Sequence, residues 1–96
     1  MAMPDRNPKL RWTALNHFVD HVLVILPKGT GAAAWLVLYR HANRQNLVVM
    51  GAGRLADLLG VDRRTAQRAV ADLLAAGAIK VARKGGMRAG ANTYQL

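Results

Sequence analysis

The segment from residue 51 to 77, GAGRLADLLGVDRRTAQRAVADLLAAG, leaves this chain few ways to fold. Apolar residues recur at helical spacing in two short runs, and Gly60-Val61-Asp62 stands between them. The first run predicts a helix over about Gly53 to Leu59, with Leu55, Ala56, Leu58 and Leu59 to bury. Gly60 supplies the positive φ that a helix end followed by a sharp turn requires. Val61 plugs the corner, and Asp62 stands where an N-cap belongs, its carboxylate able to accept the free amide protons of the next turn. Ala66, Ala69, Val70, Leu73 and Leu74 then form an inward stripe. Arg63, Arg64, Gln67, Arg68 and Ala71 fall largely on the other side, which predicts a second helix with a face turned toward something anionic.

Two helices joined in this way form a helix-turn-helix. The pattern Leu55-Ala56-x-x-Leu59-Gly60-Val61-Asp62-Arg63-Arg64-Thr65-x-Gln67-Arg68-Ala69, followed by Leu73-Leu74-x-x-Gly77-x-Ile79, resembles the winged helix-turn-helix domains of bacterial, plasmid and phage regulators. The resemblance is close over residues 51–83, looser from about 30 to 96, and absent before that. Asp62 stands where those domains commonly carry a phosphate-contacting Ser, and Ala66 where they carry a bulkier Val. The resemblance implies a mainly α fold with a small β-hairpin, the wing, following the second helix. In this chain an extra N-terminal helix precedes it.

Charge points the same way. The 96 residues carry 14 Lys and Arg against 5 acids, a formal net charge of +9, which favours nucleic acid or another anionic surface as partner. The excess is concentrated: from Arg63 to Leu96 seven basic residues (Arg63, Arg64, Arg68, Lys80, Arg83, Lys84, Arg88) face one acid, Asp72. A 52% hydrophobic content suffices for one folded domain of this length. The absence of cysteine excludes disulfides and thiolate metal sites and suits a reducing cytoplasm.

Residues 1–11, MAMPDRNPKLR, read as a flexible basic arm with Arg6, Lys9 and Arg11 available to a phosphate backbone or to solvent. No apolar core with a cleavage site follows closely enough for a secretory signal. From Trp12 to Leu26, Leu15, Phe18, Val19, Val22, Leu23 and Leu26 predict a helix, whose apolar stripe serves either a dimer interface or packing on its own domain. The run is too short to span a bilayer, which needs roughly 20 residues. His17 and His21 have a zinc-compatible spacing but no third ligand in view, so a solvated helix face is expected.

Pro27-Lys28-Gly29-Thr30-Gly31 is a loop without the pattern of a phosphate-binding loop. A helix from Thr30 or Gly31 through Asn43 follows, with Ala34, Trp35, Val37, Leu38 and Ala42 as core and Arg40, His41 and Arg44 as a solvated basic end. Leu47 to Met50 read as a short strand. The following Gly51-x-Gly53-x-x-Ala56 copies a dinucleotide-binding fingerprint, but the helix breaks at Gly60 and too little chain remains for a second parallel strand. After Gly77, Ala78 to Arg83 and Asn92 to Leu96 predict two strands around a turn marked by Gly85, Gly86 and Gly90, with Tyr94 and Leu96 inward. Residues 12–96 thus form a single domain, with the helix-turn-helix at 51–77 and the wing at 78–96.

The expected activity is sequence-specific DNA binding by a regulator, of repressor type, in the cytoplasm on the nucleoid. A helix-turn-helix lays its second helix in the major groove. Arg63 and Arg64 are then placed for guanine, Gln67 for adenine, Arg68 for phosphate, and Thr65 lies among them. Arg83, Lys84 and Arg88 of the wing suit a minor-groove or phosphate contact. One such helix reads about four or five base pairs, so a homodimer on double-stranded DNA is expected. Two other readings stay open: a DNA-binding module in plasmid or phage replication, partition or transfer, and a winged helix that binds protein only. No catalytic constellation is present: cysteine is absent, three histidines lack a Ser and carboxylate set, and the five acids are scattered. No metal, cofactor or small-molecule ligand is evident in the sequence.

Overall fold

The computed structural model describes residues 8–26, 29–85 and 91–96. Among the described residues, four α-helices and three short strands run in the order α1 (Pro8–His17), a π-helical turn (Phe18–Val22), α2 (Gly31–His41), β1 (Leu47–Met50), α3 (Ala52–Leu59), α4 (Arg63–Ala75), β2 (Lys80–Arg83) and β3 (Asn92–Gln95). The fold is mainly helical, with one small antiparallel sheet in the order β1-β3-β2. β3 is central: Val48 and Val81 both stand opposite Tyr94, and Leu47 and Lys80 both stand opposite Gln95. The sheet therefore ties residues just before α3 to the chain's last strand. The β2–β3 pairing is the expected hairpin, and the β1–β3 pairing adds a third strand to it. Every pairing is antiparallel, so β1 and α3 do not form the βαβ unit that the glycine fingerprint copies.

The core gathers Phe18 and Val22 with Ala34, Trp35 and Leu38 of α2, Leu55 and Ala56 of α3, Ala66, Ala69 and Leu73 of α4, and Val48, Met50, Ile79 and Tyr94 around the sheet. Phe18, Trp35 and Tyr39 stack in a row, with ring centroids 4.1 and 5.0 Å apart. In α3 and α4 two expected core positions fail. Leu58 and Leu74 are 44% and 37% exposed, because each lies one step off the stripe that α3 and α4 bury.

The N-terminal expectations need correction. The helix begins at Pro8, four residues before Trp12, so residues 8–11 are not an arm; residues 1–7 lie outside the described residues. Proline favours the first helical turn, where its missing N–H costs nothing. Val19 and Leu23, expected on the stripe, are exposed, as is Trp12. The helix does not run regularly to Leu26: the Leu23 amide reaches back to the Phe18 carbonyl at 2.8 Å, a wide five-residue turn, and a non-helical turn follows. Pro27 disfavours helical backbone at the preceding Leu26.

Arg11 shows why this helix packs on its own domain. Its guanidinium is buried and donates to the carbonyls of Tyr39 (3.0 Å) and Ala42 (3.3 Å) and to Asn46 Oδ1 (3.4 Å), while lying 4.0 Å from the centre of the Tyr39 ring. Tyr39 returns the contact, its hydroxyl donating to the Arg11 carbonyl at 3.1 Å. The cation thus caps the C-terminus of α2, where unpaired carbonyls and the helix dipole favour positive charge.

Candidate nucleic-acid interface

The orientation of α4 is fixed at both ends and along one face. Gly60 sits at φ 70°, ψ 33°, the left-handed geometry that ends α3 and redirects the chain within three residues. Asp62 then caps α4, accepting the Thr65 amide at 2.7 Å. Ala66, Ala69 and Leu73 bury the inner stripe against α2 and α3. Alanines at the first two positions let the helices approach closely, since interaxial distance follows side-chain size at the contact.

The opposite face carries Arg63, Arg64, Gln67 and Arg68, all exposed. They divide into two pairs, each one helical turn apart. Arg63 and Gln67 line a groove of about 230 Å³ with Val70, the Gly51–Ala52 corner at the start of α3, and Asn92 of β3. Arg64 and Arg68 are not among its lining residues and form the outward ridge. Thr65 is half-buried, and its amide and hydroxyl both engage Asp62. It therefore acts through the cap rather than from the exposed face.

Asp62 is held ionised. The Thr65 hydroxyl, the Thr65 amide and the nearby Arg68 cation all favour the carboxylate and lower its pKa from the ordinary range. Asp62 therefore sets a fixed negative charge at the tip of α4 and uses one of its free amides. An approaching polyanion would be met by the flanking arginines rather than by the helix end.

The base of the hairpin is locked beside this surface. Asn92 Oδ1 accepts the Gly85 amide at 2.7 Å, and its Nδ2 donates to the Tyr94 hydroxyl at 3.4 Å. A side chain at Gly85 would run into the Ala91 carbonyl, so the crossing of the two strands requires glycine. A bulge between Val81 and Arg83 re-aims the end of β2, where Arg83 and Lys84 are exposed. Arg88 lies outside the described residues. Asn92, expected only to start a strand, carries one local signal of this role: an amide side chain following a glycine turn, a common hydrogen-bonding device.

The His17 and His21 rings lie 5.0 Å apart, and among the described residues no group of three His, Cys, Asp or Glu comes together. No helix among the described residues is long and apolar enough to cross a membrane. Comparison of the chain with protein-family models, curated proteins and solved structures gave no match.

Proposed function

We propose that the protein is a sequence-specific DNA-binding regulator of the winged helix-turn-helix type, with α4 as recognition helix and the β2–β3 hairpin as wing. The observation that carries the reading is the division of α4 into a fully buried alanine–leucine stripe and an exposed face holding three arginines and a glutamine. Long, always-charged side chains gathered on the open face of a rigidly held helix match the edges and backbone of a major groove. Arg63, Arg64 and Gln67 read bases, Arg68 meets phosphate, and Arg83, Lys84 and Arg88 of the hairpin grip the backbone or minor groove. The net charge of +9 supplies long-range attraction to the nucleoid.

The regulator works as a homodimer without catalysis or cofactor. Val19, Leu23, Val24 and Ile25 expose apolar side chains on and after the π-helical turn, and Val24 is 78% exposed. Pairing this band across a two-fold axis would place two copies of α4 on an inverted repeat. Selection from a randomised duplex pool tests the reading. It predicts an enriched palindromic motif, and Arg64→Ala losing the preference at one position per half-site. A pool that stays random through all rounds overturns it.

A further inference from the structure

A second cavity lies away from the arginine face. A cleft of about 400 Å³ opens between α1, the π-helical turn, Trp35 of α2 and the segment that joins α4 to β2. The buried Phe18, Trp35 and Val22 close it from below, and the half-buried Ala14 and the exposed Leu10 and Thr13 stand along its side. The polar groups here fall into two kinds. The Trp35 indole N–H already donates to the Ala78 carbonyl at 3.4 Å, and the Asn46 and Gln95 amide nitrogens donate to backbone carbonyls. Lys80 and His17 line the same cleft, and among the described residues neither side chain has a hydrogen-bond or ion-pair partner.

We propose that this cleft binds a small carboxylate with an apolar body, for which 2-naphthoate is a probe. An apolar body packs against Leu10 and Ala14, and the carboxylate meets the Lys80 ammonium, a strongly hydrated point charge that favours an anionic oxygen. The size lies within the usual range for small-ligand sites, about 300–1,000 Å³. A carboxylate is preferred over a neutral compound because Lys80 brings an ammonium group to the lining of the cleft. The site's place in the fold gives it a consequence, which rests on the DNA-binding reading above. Gly77, Ala78 and Lys80 all line it, and they connect the C-terminus of α4 to β2. A ligand there braces α1 against the joint between α4 and the hairpin, and so biases the angle at which the two meet DNA.

Calorimetric titration with 2-naphthoate and the neutral 2-naphthamide tests the site without DNA. The expected result is saturable binding of one 2-naphthoate per chain, at least tenfold tighter than the amide, with amide-proton NMR shifts centred on Trp35, Ala78 and Lys80. Lys80→Met should erase the tenfold preference while leaving the weaker 2-naphthamide binding unchanged. Ala14→Phe, which fills the open cleft from a half-buried position, should abolish both. No saturable binding at millimolar probe, equal affinity for the two probes, or shifts that map elsewhere would overturn the proposal. So would 2-naphthoate binding only as it splits a dimer, since a second copy would then be the natural occupant. If the site binds but DNA binding is absent with and without ligand, the cleft stands and the regulator reading falls.

Discussion

Arg11 and Asp62 carry charge to opposite helix ends, and each sets a local geometry that the rest of the chain depends on. Arg11 neutralises the C-terminus of α2 from within the core and clasps α1 to it. Hydrogen bonds to a charged donor contribute about 1.5–3 kcal/mol, and the stem's packing adds to this. Arg11→Met should therefore lower the unfolding free energy by about 2–4 kcal/mol in urea titrations. A change below about 0.5 kcal/mol, typical of surface positions, would contradict the capping role. Asp62 predicts a pH effect. Its folded pKa is lowered, so its contribution is present above the unfolded value near 4 and is lost as pH falls through the folded value. The melting temperature should drop on acidification below about pH 4. Asp62→Asn, which can still cap but cannot titrate, should flatten that part of the profile; an unchanged profile would show that other carboxylates govern it.

At the scale of elements, the α3–α4 corner depends on a left-handed residue. Gly60→Val should cost at least 1–2 kcal/mol, because a branched side chain is strained at φ 70° even though the space around it is open. Measured stability equal to the parent would mean the corner adjusts. This corner was the most legible part of the sequence: glycine, plug, cap and the 3.6-residue stripe are local signals, and Gly60, Asp62, Ala66, Ala69 and Leu73 behave as their spacing predicts. Non-local features were hidden. Nothing near Arg11 in the chain announces that Tyr39, Ala42 and Asn46, some 30 residues away, will bury it. The helix start at Pro8 was hidden because proline marks both irregular segments, such as the expected arm, and first helical turns. The pairing of β1 with β3 joins segments more than 40 residues apart, and four-residue strands carry too little pattern to choose a partner. Within the candidate site, the arginines were legible from helical phase. The roles of Asn92 and Gly85 in fixing the hairpin base were not, since they arise only where the two strands meet.

The whole molecule is a small core with two differently charged outlooks: an arginine face on α4, and an apolar band around residues 19–25. The band's expected effect is on assembly. Val24→Asp should convert a dimer to a monomer by sedimentation while leaving helical content unchanged, and a parent protein that is monomeric at tens of micromolar would remove the two-fold arrangement. The central claim is that α4 reads sequence, and a salt titration of binding tests it most directly. Anisotropy would follow binding to the protein's own upstream duplex and to a scrambled duplex from low to high salt, with Arg64→Ala alongside. A sequence-reading α4 gives a preference of about a hundredfold or more for the native duplex, a steep negative salt slope from phosphate neutralisation, and loss of the preference but not of the slope in Arg64→Ala. No binding to either duplex at low salt would contradict it and assign the arginine face to another partner.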